Sequence, residues 1–196
     1  MEINQEIQDC KIYPMYEVFY IECIKTASLN AIESWKKLNE IVSDENLFES
    51  NGIETIDLSE NIVNQAGIIS KYFFPPRVEG LKNTIHRLRG EKLRESYSIA
   101  DDNVLKDKDF RNYIEHFDEK LDIFLNNNNI GNIIPQKSIF LNSNEINNIT
   151  FVFKAYILNE FTYVSLNKRI LLTPLIKEIY RIYNLCIDLL EKGGRL

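Results

Sequence analysis

The hydrophobic period of this chain changes twice, and that pattern limits its fold more than anything in its composition. From Pro14 to about residue 125, apolar residues return every three to four positions. Between Ile149 and Ile157 they alternate, and from Thr173 the three-four rhythm resumes. Spacing of three to four lays side chains along one face of a helix, whereas alternation lays them on one face of a strand. The expectation is a mainly α protein of five helical segments around a small antiparallel β insertion at about 137–172, before the last helix. No internal repeat and no long polar linker divides it, so 1–196 reads as a single domain.

The segments have recognisable punctuation. Pro14 suits the first turn of a long helix that the rhythm of Val18, Ile21, Ser28, Ile32, Trp35 and Leu38 carries to about Ser43. Ala27, Ser28 and Ala31 leave room there for a close neighbour. Residues 44–52 read as a connection, and Asp57 with Glu60 has capping-box spacing ahead of Ile62, Ala66, Ile69 and Phe73. Pro75-Pro76 stops that helix. A third helix from near Gly80 carries Leu81, Ile85 and Leu88 inward and is expected to bend or break at Gly90. Strands are expected over Ile149–Ile157, Phe161–Leu166 and Arg169–Leu172, with another at Ser138–Leu141. Thr173 as cap and Pro174 at the first position open the last helix.

Charge narrows the function classes. A net charge of −6 excludes a protein that coats nucleic acid with its whole surface, although it leaves room for a local basic groove. Cys10, Cys23 and Cys186 are far apart and odd in number, which fits free thiols in a reducing cytoplasm better than a disulfide framework or a metal site. No apolar run reaches the length of a membrane span, and no signal peptide is visible at the first residues. Glycine-rich phosphate loops, paired histidines at ligand spacing and nucleophile elbows are all missing, so no cofactor or metal is expected.

The remaining chemistry sits between Phe110 and Phe124. Phe110, Ile114, Phe117, Leu121 and Phe124 form one apolar stripe on an expected helix from about Asp107 to Leu125. At about 100° per residue, His116 falls roughly 120° from that stripe and Arg111 roughly 100° away on the other flank. Both are held outside the core on an anchored helix. Asn112 lies one turn before His116, and Glu115 one turn after Arg111, where it can steady the guanidinium.

Arg111-Asn112-Tyr113-Ile114-Glu115-His116 resembles the Arg-x(4–6)-His motif of the HEPN superfamily, including a polar residue directly after the arginine. The resemblance implies an up-and-down helical bundle that pairs into a homodimer, with two motifs forming one composite, metal-independent ribonuclease site. It implies Arg111, His116 and Asn112 as catalytic residues, Glu115 as support, RNA as substrate, and a toxin or phage-defence role with an antitoxin protein as a candidate partner. The motif covers six residues and the matching helical context about the first 125; the β insertion and last helix are outside the minimal family core. Some family toxins carry a tyrosine two residues after the histidine, where a partner nucleotidyltransferase acts; this chain has Asp118.

Two further features enter the reading. Lys82, His86, Arg87 and Arg89 lie in the most basic segment and are candidates for RNA phosphate, against the plainer reading of a solvated helix face. Ile123, two turns beyond His116 on the polar face, is a candidate dimer contact. The alternative from another class is a non-catalytic HEPN-like dimer that binds a partner protein, nucleotide or RNA; a carboxylate-metal enzyme using Asp118 and Asp122 ranks below both.

Overall fold

A computed structural model describes residues 11–76, 84–107, 116–128 and 130–196. Helix α1 (Pro14–Ser43) is the longest element. It is followed by α2 (Glu45–Asn51), α3 (Glu54–Phe73), α4 (Ile85–Ser96), a 3-10 turn (Val104–Lys106) and α5 (Phe117–Asn127). Strands β1 (Asn132–Phe140), β2 (Thr150–Ile157), β3 (Thr162–Ser165) and β4 (Lys168–Leu171) precede α6 (Leu172–Glu191).

Three helices make the core. Ile21, Ile24, Ala31 and Leu38 of α1 pack with Ile56, Ile62, Ala66, Ile69 and Phe73 of α3, and with Leu172, Ile179, Ile182 and Cys186 of α6. Lys37 pairs with Glu54, Asn61 bonds Ser34, and the rings of Tyr20 and Tyr72 meet, so α1 and α3 are antiparallel. Arg195 bonds the Pro14 carbonyl while Gly194 lies against Val18, which makes α6 antiparallel to α1 as well. Ala27, Ser28 and Ala31 are buried where the close approach was expected. Trp35 is half-buried against Phe161, with ring centroids 5.8 Å apart.

The sheet is four-stranded in the order β1-β2-β3-β4. It is mixed, which corrects the antiparallel expectation: β2, β3 and β4 form an antiparallel meander, but β1 runs parallel to β2. The sheet also begins earlier than expected, at Asn132. Residues 141–149 must carry the chain back along the sheet to make that parallel pair. They place Ile146 over Val152, Ala155, Ile157 and Val164, which together with Ile134 and Phe140 form a second, small apolar cluster. Tyr156 and Tyr163 belong instead to the main core. The β3–β4 turn uses Leu166 and Asn167 at φ 46° and 65°, and the Asn167 side chain accepts the Val152 N–H at 2.7 Å.

Several local expectations are corrected. The connection after α1 contains the two-turn helix α2, capped by Asp44, whose carboxylate accepts the Leu47 N–H at 3.1 Å. Helix α3 starts at Glu54, so Asp57 and Glu60 are already helical and reach Lys137 and Lys154 of the sheet. Helix α4 passes through Gly90 without a break; the missing side chain lets it lie on Phe73 and Pro75. Helix α6 starts two residues early, at Leu172, because that fully buried side chain already packs into the core, and Thr173 caps nothing.

Candidate functional site

Within the described residues, Phe117 and Phe124 of the expected stripe anchor α5. Phe124 is buried and meets Phe151 edge-on at 6.2 Å, while Phe117 meets Phe153 at 6.0 Å. Asp118 and Glu119 occupy the first turn, where carboxylates favour a helix N-terminus. That start falls directly after His116, whose φ of −119° and ψ of 40° are not helical. A single unbroken helix across this point is therefore corrected: His116 is the N-cap residue of α5. Phe110, Arg111, Asn112, Ile114 and Glu115 lie outside the described residues.

His116 is exposed, and its Nδ1 lies 3.4 Å from the Glu119 carboxylate one turn on. Both side chains are exposed, so this contact is screened by water and the imidazole is open to solvent. Behind this residue lies an ion pair backed by two aromatic rings. Lys154 donates to both carboxylate oxygens of Glu60 at 2.7 and 2.8 Å, with its ammonium 5.2 Å from the Phe117 ring centroid and 5.5 Å from that of Phe153. A cavity of about 40 Å³ bounded by Glu60, Asn64, Phe117, Tyr163 and Ser165 lies beside this pair, room for a water but not for a nucleotide. Any nucleotide chemistry at His116 must take place on the open face.

No protein-family model matches the chain, and no curated protein or solved structure matches it. The reading of the site rests on its residues.

The basic segment is more occupied than a solvated strip would be. Arg89 lies between Tyr20 and Tyr72, 5.9 and 5.2 Å from their ring centroids, and donates to the Lys71 carbonyl at 3.0 Å. Arg94 donates to the Phe73 carbonyl over the Phe74 ring. Both guanidinium groups satisfy carbonyls at the end of α3, where a helix has no partners of its own. Burial between the rings pulls the Arg89 guanidinium below the ordinary arginine range. Lys92 pairs with the buried Glu17, and Arg87 with Glu91 at 2.8 Å. His86 is exposed, and Lys82 lies outside the described residues.

Asp118 and Asp122 are exposed on α5, and among the described residues no group of three or more His, Cys, Asp or Glu side chains is placed to hold a metal ion. Ile123 is exposed, as a contact residue would be. Cys23 is an exposed free thiol, while burial pushes the Cys186 thiol up to about 11, beside the Tyr97 hydroxyl. Among the described residues no helix is long and apolar enough to cross a membrane. The Glu60–Lys154 and Glu17–Lys92 pairs were not foreseen, because partners 94 and 75 positions apart leave no periodic trace in sequence.

Proposed function

We propose that this chain is a metal-independent endoribonuclease of HEPN type that works as a homodimer, with a role as a toxin or phage-defence effector in the cytoplasm. The observation that carries the reading is His116: an exposed imidazole at a helix start, with Nδ1 3.4 Å from the Glu119 carboxylate. RNA cleavage without a metal needs a base to take the proton from a 2′-hydroxyl and a cation for the charge on a five-coordinate phosphorus. Histidine titrates in the right range for proton transfer, and arginine offers a planar fork to phosphate oxygens.

In this reading the His116 of one copy removes the 2′ proton as O2′ attacks phosphorus. The bond to the 5′ oxygen breaks, and that oxygen takes a proton from the His116 of the second copy. The products are a 2′,3′-cyclic phosphate and a 5′-hydroxyl. Arg111 binds the phosphate, Asn112 orients the imidazole or a phosphate oxygen, and Glu115 steadies Arg111.

The test is RNA incubated in EDTA with the wild type, His116→Ala and Arg111→Ala. Cleavage to cyclic phosphate ends by the wild type alone is the expected outcome, with a loss of at least about 100-fold in each variant. Cleavage that survives both substitutions sinks the reading. Binding of RNA without turnover by the wild type assigns the chain to the non-catalytic class.

A further inference from the structure

The start of α1 exposes an aromatic row that nothing in the catalytic reading uses. Tyr13, Tyr16 and Phe19 are 55%, 53% and 64% exposed, with Met15 beside them at 62%. Their ring centroids follow one another at 6.1 and 6.4 Å. Surface aromatics usually lie singly; a consecutive open row marks a contact surface. One turn further on, Tyr20 turns under the Arg89 guanidinium, which links the row to α4 and the end of α3.

The charge at this end of the bundle runs against that of the whole chain. Arg89 and Arg94 are bonded to the carbonyls of Lys71 and Phe73, and Arg195 to that of Pro14 while its charge also acts on the Glu17 carboxylate. Lys11 is exposed beside Tyr13 and shares with it an open cavity of about 490 Å³ that Leu88, Lys92, Glu91 and Glu95 also line. The nearby carboxylates are largely offset: Glu17 by Lys92, Glu22 by Lys25 at 2.6 Å and Glu91 by Arg87. Glu95, and Asp188 and Glu191 at the end of α6, are exposed without such a partner among the described residues.

We propose that this surface binds single-stranded RNA, with bases stacked on Tyr13, Tyr16 and Phe19 and phosphates drawn to Lys11 and Arg195, both exposed. Open rings bordered by cations are what a single strand requires, since every base has a stacking face and every linkage a negative charge. The choice of RNA over DNA rests on the nuclease reading. Tyr72, against Arg89, and Glu60, linked through Lys154 to Phe117, are twelve residues apart on α3, about 18 Å of helix axis.

The experiment uses fluorescence anisotropy with a labelled single strand of about 12 nucleotides whose 2′-oxygens are methylated, so that binding is read without cleavage. The full-length wild type binds it. Tyr16→Ala and Phe19→Ala each weaken binding about tenfold, and Lys11→Glu flattens the dependence of log affinity on log salt by about one cation's share. Both rings are more than half exposed, so thermal melting of these variants matches the wild type. The proposal is overturned if the wild type does not bind the strand, or if the ring variants bind as well as the wild type does. It is equally overturned if light scattering shows that they split a dimer, which would assign the row to a second copy. Binding without cleavage of unmethylated RNA fails the nuclease reading and leaves this surface standing; cleavage with ring-independent binding does the reverse.

Discussion

The two ends of α3 show opposite uses of charge. At its C-terminal end, Arg89 and Arg94 close off the last carbonyls, Lys92 reaches the buried Glu17, and Gly90 brings α4 onto the backbone. Toward its N-terminal end, Glu60 and Lys154 form one pair, and the nearby α5 is held by the edges of Phe117 and Phe124. The first end is wired to stay in place, whereas the second carries an exposed histidine on a helix with a single buried side chain. The second region sets an exposed side chain beside a fixed backing. The comparison also shows that a basic sequence segment need not be a binding strip as a whole, because much of it completes the ends of helices.

The largest expected effect separates the two regions by packing. Phe73 is fully buried and meets Tyr97 at 5.2 Å, so Phe73→Ala removes an aromatic ring from the main core and is expected to cost about 3–5 kcal/mol in urea denaturation. Phe124→Ala is expected to cost less, about 1–2 kcal/mol, since α5 touches the fold through one face and its removal lets that helix open by itself. Hydrogen exchange distinguishes them: Phe124→Ala speeds exchange in α5 and spares α1 and α3. Equal, global effects from both variants would end the contrast.

A middling effect tests the wiring. Glu17 is 2% exposed, yet its carboxylate lies below the ordinary range: burial pushes it up, and the Leu196 N–H at 2.8 Å and the Lys92 ammonium more than offset that. A carboxylate depressed in the folded state stabilises the fold fully above its unfolded pKa and loses that contribution as pH falls through the folded value. Glu178, depressed against burial by Arg181 and Asn103, adds to the same trend. Stability should therefore fall below about pH 4. Glu17→Gln should cost about 2 kcal/mol at pH 7, with Lys92 part-exposed and able to recover water, and should flatten part of the acid loss. Melting curves from pH 3 to 7 for both proteins check the sign.

Sequence periodicity located α1, α3, α6 and the β2–β4 meander because each buries one regular face. It could not show that β1 joins parallel, because that depends on where residues 141–149 travel and on Ile146 finding the outer cluster. It placed His116 outside the core correctly and missed the start of α5 there. The apolar stripe runs through the cap without interruption, while the acidic first turn of Asp118 and Glu119 is the signal that marks the boundary. The aromatic row at Tyr16 and Phe19 was hidden for the converse reason. Apolar residues suggest burial, and only the fold shows these exposed among the described residues.

The smallest effect bears on how firmly α4 sits. By helix propensity alone Gly90→Ala should stabilise the protein by about 1 kcal/mol, since alanine is the better helix former. A Cβ at this position, however, would lie 2.7 Å from Pro75 Cδ and 2.9 Å from the Phe73 carbonyl oxygen. Neither atom is the end of a flexible side chain. The backbone oxygen already accepts from Arg94, and the proline ring is fixed at its own φ. Overpacking of about 1–3 kcal/mol should win, for a net loss of about 1 kcal/mol in urea denaturation. A gain would mean that α4 shifts away from α3 at little cost. Arg89 and Arg94 would then be released from their carbonyls, and the basic segment would be as free as its sequence suggests.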